Sequence, residues 1–233
     1  IQKKYLKKAI NVLHESFFVN EIKQVKLFII GLGNVGKAFL NQIALQKVYL
    51  FKEFNLEFEI IGVANSRKMV FNEEGIDPLE VINIIASGDS FQQSKFIDKM
   101  RQLNLRNSIF IDITASETVA GAYEEILKET ISIVTPNKIA ATQSFAHYQL
   151  LKSTANKFKS QFLFETNVGA GLPVLSTLSD LVKSGDRIIK IEAVLSGTLN
   201  FIFNNYNAKR PFVEVVQHAK KEGYTEPDPR LDL

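Results

Sequence analysis

The segment 31–36, with the sequence Gly-Leu-Gly-Asn-Val-Gly, constrains the fold of this chain more than any other feature. It directly follows the apolar run Val25 to Ile30 and opens a helical pattern from Lys37 to Val48. A glycine-rich turn between a buried strand and a helix is typical of dinucleotide-binding folds.

The first glycine permits the tight turn, the second lets the backbone approach a pyrophosphate, and the third allows close packing of the helix on the strand. The helix amino terminus offers N–H groups to the phosphates. The predicted phosphate-binding residues are Gly31, Gly33, Asn34, Val35 and Gly36. The alternative is a glycine-rich turn without a ligand.

Strand and helix patterns alternate along the first 160 residues. Short apolar runs predict further strands at Phe58–Ala64, Ile109–Ile113, Ile131–Val134 and Phe162–Glu165. Helical spacing of apolar residues predicts helices at Pro78–Ile85, Phe91–Leu103, Glu117–Lys128 and Ser144–Lys157. This alternation predicts an α/β fold with a Rossmann-type doubly wound parallel sheet.

The pattern changes beyond this alternating region, which indicates three segments. Residues 1–22, with a helical pattern from Tyr5 to Asn20, are expected to be a linker or the tail of a preceding module. Residues 23–160 form the predicted NAD(P)-binding domain, and residues 161–233 the first part of an incomplete α+β substrate domain. In this last part we expect a helix from Pro173 to Ser184, a strand at Arg187–Leu195 and helices at Thr198–Tyr206 and Pro211–Glu222, the last ending at Gly223.

Composition excludes several classes of protein. The chain contains no cysteine, which excludes disulfides, thiolate metal sites and cysteine nucleophiles and is compatible with a cytoplasmic protein. The net charge of +3 comes from lysines spread over many amphipathic segments, so we expect no nucleic-acid partner. No apolar run approaches the roughly 18 to 20 residues that a membrane span requires, so we expect no membrane association.

The end of the second predicted strand bears on the choice between NADP and NAD. NAD-binding domains usually place a carboxylate there to bind the ribose 2′-hydroxyl. Here the sequence is Ala64-Asn65-Ser66-Arg67, with a cation and no carboxylate. We therefore expect this site to tolerate or favour a 2′-phosphate, and we predict Ala64, Asn65 and Arg67 as cofactor-binding residues. The alternative is that Arg67 is only a surface charge.

Four later motifs occur in one order: Thr135-Pro136-Asn137-Lys138, the segment 165–173 (ETNVGAGLP), the segment 196–200 (SGTLN) and the segment 223–230 (GYTEPDPR). Together they resemble homoserine dehydrogenase, and the likeness covers about Lys26 to Leu233. The segment 62–66 (GVANS) is similar to the bifunctional aspartokinase–homoserine dehydrogenases in particular. The segment 14–18 (HESFF) is similar to the tail of their kinase regulatory region.

The resemblance implies a reaction and the residues that serve it. The family reduces aspartate 4-semialdehyde to homoserine with NADPH or NADH, on the route to threonine, isoleucine and methionine. It implies that Lys138 contacts both cofactor and substrate, that Thr114 lies beside the nicotinamide ribose, and that Glu226 pairs with the substrate ammonium. Judged without the family, Lys138 could be a surface lysine at a helix start, and Glu226 could be a loop charge.

The resemblance also implies a monovalent-cation loop and a larger protein. The carboxylate of Glu165 and the main-chain oxygens of Val168, Ala170 and Leu172 would hold Na⁺ or K⁺, a ligand set of oxygens that suits a hard cation. The alternative is a structural turn without an ion. The family's catalytic Asp and Lys would follow Leu233, so we expect this chain alone to be inactive. The full-length enzyme is expected to be a homo-oligomer.

Three rival functions can be weighed on sequence features. Aspartate-semialdehyde dehydrogenase needs a cysteine nucleophile, which is absent here. A non-catalytic dinucleotide-binding regulatory module would keep the glycine turn but has no use for Lys138 and Glu226 in their motifs. A different sugar or amino-acid dehydrogenase would share the cofactor domain but not the substrate motifs.

Overall fold

The structure, a computed structural model, describes residues 6, 9–10, 13, 22–207, 209–225 and 228–231. The chain divides into two compact units, Ile1–Phe164 and Glu165–Leu233. The helix predicted for 5–20 falls mostly outside the described residues, although positions 6, 9, 10 and 13 are helical. None of the described helices is long and apolar enough to cross a membrane.

The first unit is built on a seven-stranded mixed sheet in the order β4-β3-β2-β1-β5-β6-β7. Strands β2, β1, β5, β6 and β7 run parallel, whereas β3 and β4 extend one edge in antiparallel fashion. This confirms the Rossmann-type α/β fold. The strands are β1 (Lys23–Ile30), β2 (Leu56–Ala64), β3 (Lys68–Ile76), β4 (Asp89–Ser90), β5 (Ser108–Asp112), β6 (Ser132–Val134) and β7 (Phe162–Leu163).

Helices cover both faces of the sheet, because the central strand β1 has apolar side chains on both of its faces. On β1, Leu27 and Ile29 belong to one buried cluster, and Phe28 and Ile30 belong to the other. The helices of this unit are α1 (Asn34–Phe54), α2 (Val81–Ile84), α3 (Gln93–Leu103), α4 (Glu117–Gly121), α5 (Tyr123–Lys128), α6 (Ile139–Thr142) and α7 (Phe145–Phe158). Side chains of Ser116 and Ser144 cap the starts of α4 and α7.

The antiparallel edge was not predicted from the sequence. Strand β3 pairs with β2 through Ile60 and Ile76 at one end and Ala64 and Met69 at the other. Its central residues include Asn72, which breaks the apolar alternation that marks a strand. The pairing depends on main-chain hydrogen bonds to β2, and a local apolar pattern does not report such bonds.

The second unit contains three α-helices among its described residues: α8 (Leu175–Lys183), α9 (Gly197–Asn205) and α10 (Phe212–Lys221). Helices α9 and α10 pack through Ile202, Val215 and Ala219. The strand predicted at Arg187–Leu195 is wrong, because that segment has no regular secondary structure and Ile189 is 94% exposed. A strand needs a hydrogen-bonded neighbour, and no described segment of this unit pairs with it.

Candidate cofactor site

A cleft of about 680 Å³ opens at the carboxyl edge of the sheet in the first unit. The strand register creates it, because Ile30 pairs with both Ala64 and Asp112, so that the segments leaving β1, β2 and β5 start side by side. Carboxyl edges of this kind are where open α/β sheets bind ligands. Five of the residues predicted from the sequence line the cleft: Gly31, Gly33, Asn65, Arg67 and Thr114.

The three glycines of the turn meet different surroundings. Gly31 has a φ of +112°, and a Cβ there would lie 2.3 Å from the carbonyl oxygen of Ile113. A Cβ on Gly36 would lie 2.2 Å from the carbonyl oxygen of Gly31. The fold itself therefore requires both glycines. A Cβ on Gly33 would meet no described atom within 4 Å, so the protein's own packing does not explain a glycine at this position.

The start of helix α1 leaves hydrogen-bond donors beside this turn. Gly33 is the residue that precedes the helix, and the first helical hydrogen bond runs from the Lys37 N–H to the Gly33 carbonyl, at 2.9 Å. The N–H groups of Asn34, Val35 and Gly36 come before that bond, where a helix offers donors that lack a helical acceptor. The first turn contains no acidic side chain to repel an anion. This arrangement, together with the open space at Gly33, fits a pyrophosphate.

The side chain of Asn65 fixes the segment that carries Arg67. Its Oδ1 accepts hydrogen bonds from the main-chain N–H groups of Arg67 and Lys68, both at 2.8 Å. The Arg67 carbonyl accepts a further bond from the Phe91 N–H, also at 2.8 Å. This side-chain turn holds the Arg67 backbone at the cleft while its guanidinium stays exposed. An exposed guanidinium at this edge can bind a phosphate on the adenosine ribose.

A buried polar cluster lies directly behind the cleft. The carboxylate of Asp112, which is fully buried, accepts hydrogen bonds from the Thr114 N–H at 2.8 Å, the Tyr123 hydroxyl at 2.6 Å and the Asn137 amide at 2.9 Å. Burial, and then the neighbouring Asp112 carboxylate, raise the pKa of Tyr123 well above its ordinary value, so its hydroxyl remains a donor. The Thr135 hydroxyl donates to the Asp112 carbonyl at 2.8 Å.

Lys138 follows this cluster on the loop between β6 and α6. Its backbone directly precedes α6, and its side chain is exposed. The residues on either side are fixed: the Asn137 N–H donates to Thr135 Oγ1 at 2.8 Å, and the Ile139 N–H donates to Asn137 Oδ1 at 3.1 Å. The loop therefore holds the Lys138 backbone and leaves the residue exposed.

In the second unit, the predicted cation loop begins with Glu165, whose carboxylate binds the start of a helix. The carboxylate of Glu165 accepts the N–H groups of Leu175 and Ser176 at 3.0 and 2.8 Å, at the beginning of α8. These bonds use two of the roughly four acceptor positions of a carboxylate. Gly169 and Ala170 have φ values of +72° and +52°, a conformation that reverses the chain between Val168 and Leu172. Of the main-chain oxygens predicted as cation ligands, the Leu172 carbonyl accepts a hydrogen bond from the Val174 N–H at 2.9 Å.

Two of the four sequence motifs contact each other within the second unit. The Thr198 hydroxyl donates to the Tyr224 carbonyl, and the rings of Phe201 and Tyr224 stack at 4.5 Å. The segment 196–200 thus anchors the segment that begins at Gly223, whose φ of +79° confirms the predicted helix end. Glu226, the predicted partner of the substrate ammonium, lies outside the described residues.

Comparison with known proteins identifies the family. The protein-family model for the homoserine dehydrogenase NAD-binding domain matches residues 31–165. The family model for homoserine dehydrogenase itself matches residues 173–233. The chain belongs to the homoserine dehydrogenase family. The bifunctional aspartokinase/homoserine dehydrogenase of Haemophilus influenzae is 39% identical over 228 residues, which is 97% of this chain and 28% of that protein. Bifunctional aspartokinase/homoserine dehydrogenase 2, chloroplastic, of Arabidopsis thaliana is 36% identical over 230 residues, 97% of this chain and 25% of that protein.

A solved structure agrees with this assignment. The homoserine dehydrogenase of a hyperthermophilic archaeon, in complex with NADPH, superposes with a TM-score of 0.72 at 25% identity, covering 89% of this chain and 64% of that one. The chain spans 25–28% of the length of the two bifunctional relatives.

Sequence reasoning missed several residues of the site. Gln93, Ser116 and Thr118 line the cleft, and Asp112 lies behind it. A signal for Asp112 was available, because it is a carboxylate that follows the apolar run Ile109–Ile111 at a strand end. No sequence signal marks Gln93, which is the first residue of α3 and lines the cleft only in the folded chain.

Proposed function

We propose that the full-length protein interconverts aspartate 4-semialdehyde and homoserine, accepting NADPH at least as well as NADH. The observation that carries this proposal is the glycine turn at the cleft. Gly33 has open space where a side chain would be, three N–H groups follow it, and Arg67 lies on the same cleft. Membership of the homoserine dehydrogenase family supports the choice of substrate.

The bound nicotinamide supplies the hydride for reduction or accepts it for oxidation. The residues of this chain then have three tasks. Lys138 places an ammonium beside the carbonyl oxygen and stabilises the negative charge that develops there. Glu226 pairs with the ammonium of the substrate, and Thr114, which lines the cleft, contacts the ribose next to the nicotinamide.

The acceptance of NADPH is assigned to Arg67, whose guanidinium would bind the 2′-phosphate. Isothermal titration with NADPH and NADH, on the wild type and Arg67→Ala, tests it. Loss of a charged hydrogen bond to phosphate should weaken NADPH binding by about 1 to 3 kcal/mol and leave NADH binding unchanged. Equal losses for the two cofactors would refute the role of Arg67. Lys95→Ala, on helix α3 and outside the cleft lining, is a control for the general effect of removing one positive charge.

The segment Glu165–Leu172 is proposed to bind Na⁺ or K⁺ through the Glu165 carboxylate and the carbonyls of Val168, Ala170 and Leu172. Such an ion would organise the loop at the start of α8. Anomalous diffraction from crystals of the full-length protein soaked in Rb⁺ or Tl⁺ should show a peak beside these oxygens. A loop without a peak at high ion concentration would refute the cation site and leave the Glu165 cap on α8 intact.

The activity is tested with the full-length protein by following nicotinamide absorbance during oxidation of homoserine. We expect turnover in the wild type and a loss of several orders of magnitude in Lys138→Met, which keeps the aliphatic length and removes the charge. NADPH binding without turnover in the wild type would refute the proposed enzymatic activity and favour a non-catalytic dinucleotide-binding module.

We also propose that the full-length protein is a homo-oligomer and lies in the cytoplasm. Sedimentation would check the oligomeric state, and cell fractionation would check the location.

A further inference from the structure

The strand β5 ends differently from its neighbours. Strands β1, β2 and β6 end in the apolar residues Ile30, Ala64 and Val134, whereas β5 ends in Asp112. This carboxylate is fully buried. Removing a carboxylate from water is costly unless hydrogen bonds replace the solvent. An apolar residue would complete the core more simply, so the carboxylate calls for an explanation beyond packing.

The bonds of Asp112 connect two loops. The first follows β5 and carries Thr114, and the second follows β6 and carries Asn137. The Asp112 Oδ1 holds the first loop through the Thr114 N–H, and its Oδ2 holds the second through the Asn137 side-chain amide. The same Asn137 amide donates to the Ser116 carbonyl at 3.1 Å, so the two loops are also joined directly. Thr114 and Ser116 line the cleft, and Asn137 immediately precedes Lys138.

A second set of bonds fixes the same loop through the backbone. The Thr135 hydroxyl donates to the Asp112 carbonyl and accepts the Asn137 N–H. The Tyr123 hydroxyl, on α5, donates to Oδ2 of Asp112, the same oxygen that accepts the Asn137 amide. Both the side chain and the main chain of Asn137 are therefore held by groups that converge on Asp112.

We propose that Asp112 is a positioning residue, which sets the distance between the Thr114 loop and Lys138 through Asn137 and Thr135. This inference rests on the proposed function, since it assigns Asp112 to the placement of the Lys138 ammonium against the cofactor cleft. Reacting groups must be held closely, and a displacement of about 1 Å can lower the rate roughly 100-fold. Asp112 touches neither substrate nor cofactor in this role.

The first test is Asp112→Asn in the full-length protein. An amide has one acceptor oxygen, so it cannot accept from the Thr114 N–H on one side and from Tyr123 and Asn137 on the other. We expect kcat for homoserine oxidation to fall about 100-fold, while the Kd for NADPH stays within a few-fold. A kcat equal to that of the wild type in folded Asp112→Asn would overturn the inference.

A second pair of variants decides the matter if Asp112→Asn fails to fold. Thr135→Val keeps the volume of the side chain and removes the hydroxyl, whereas Thr135→Ser removes a methyl and keeps the hydroxyl. Positioning predicts that the serine variant retains kcat and the valine variant loses it. A packing role predicts the reverse order, and that result would refute the proposal.

The matched control is Ser160→Ala. Ser160 is also buried, and its hydroxyl donates to the Leu127 carbonyl at 3.0 Å. It precedes the first residue of β7, however, whereas the cleft lies at the carboxyl ends of the strands. Loss of this hydroxyl should lower the melting temperature and leave kcat unchanged. A drop in kcat as large as that of Thr135→Val would mean that any buried hydroxyl matters, and would contradict a specific role for the Asp112 cluster.

Amide hydrogen exchange of the peptide 135–139 separates this inference from the proposed function. We expect faster exchange in Asp112→Asn and Thr135→Val, and wild-type exchange in Thr135→Ser and Ser160→Ala. If the wild-type protein shows no homoserine oxidation, the proposed function fails, but the exchange rates still report whether Asp112 anchors the loop. Unchanged exchange in all four variants would overturn the anchor, whatever the activity.

Discussion

Replacing Gly33 by alanine should weaken cofactor binding without weakening the fold. Gly33 has φ −74° and ψ −160°, an extended conformation with a negative φ, at the border of the region open to alanine. The new Cβ would meet no described atom within 4 Å. Any cost of the methyl group therefore comes from a ligand that approaches this backbone.

The magnitude of each effect follows from these contacts. A substitution of glycine by alanine at a compatible conformation stabilises a protein by about 0.4 to 1 kcal/mol, because the unfolded chain loses freedom. A phosphate oxygen bonded to an N–H lies about 2.7 to 3.2 Å from the nitrogen, which leaves no room for a methyl group beside it. We expect the Kd for NADPH to rise roughly 10- to 100-fold, or about 1.4 to 2.8 kcal/mol.

Isothermal titration with NADPH and urea denaturation measure the two effects on the same samples. The matched control is Gly121→Ala, since an added Cβ there also meets nothing within 4 Å, and Gly121 is exposed at the end of α4 and is not among the residues that line the cleft. This control should gain stability and bind NADPH normally. Gly36→Ala should instead lower the unfolding free energy, because its Cβ would collide with the Gly31 carbonyl. Unchanged NADPH affinity in Gly33→Ala would refute the phosphate-binding role of the turn.

Three further predictions concern the turn at Arg67, the core and the buried hydroxyl. Asn65→Ala removes two hydrogen bonds and should weaken NADPH binding more than NADH binding in titrations, because it loosens the Arg67 backbone; equal weakening would contradict this. Phe110→Ala should lower the unfolding free energy by about 3 to 5 kcal/mol in urea melts, since its ring is fully buried. The pKa of Tyr123 is raised in the folded state, so the unfolded chain releases this proton first as the pH rises above 10. Wild-type stability should therefore fall more steeply above pH 10 than that of Tyr123→Phe, and parallel curves would refute the shift.

The fold of the first unit was predictable where burial and periodicity coincide. The parallel strands near the centre of the sheet are continuous apolar runs, and the glycine turn fixes the direction of the first crossover. The β3–β4 edge escaped prediction because Lys68–Ile76 is held by main-chain pairing to β2. The strand predicted at Arg187–Leu195 shows the converse error, since an apolar alternation does not form a strand without a paired neighbour.

The candidate site was predictable in part for a similar reason. Glycine positions and the absence of a carboxylate after β2 can be read locally, and Gly31, Gly33, Asn65 and Arg67 do line one cleft. The link between Asp112 and Asn137 joins residues 25 positions apart and exists only because β5 and β6 are adjacent. No local pattern reports such a bond.

The most direct test of the cofactor site is a crystal structure of the full-length protein with NADPH. We predict the pyrophosphate against the N–H groups that follow Gly33, the 2′-phosphate beside the Arg67 guanidinium, and the nicotinamide end next to Thr114. A dinucleotide bound at the opposite edge of the sheet, in the groove between Lys26 and Asp77, would contradict the account. So would NADPH in the cleft with its 2′-phosphate far from Arg67.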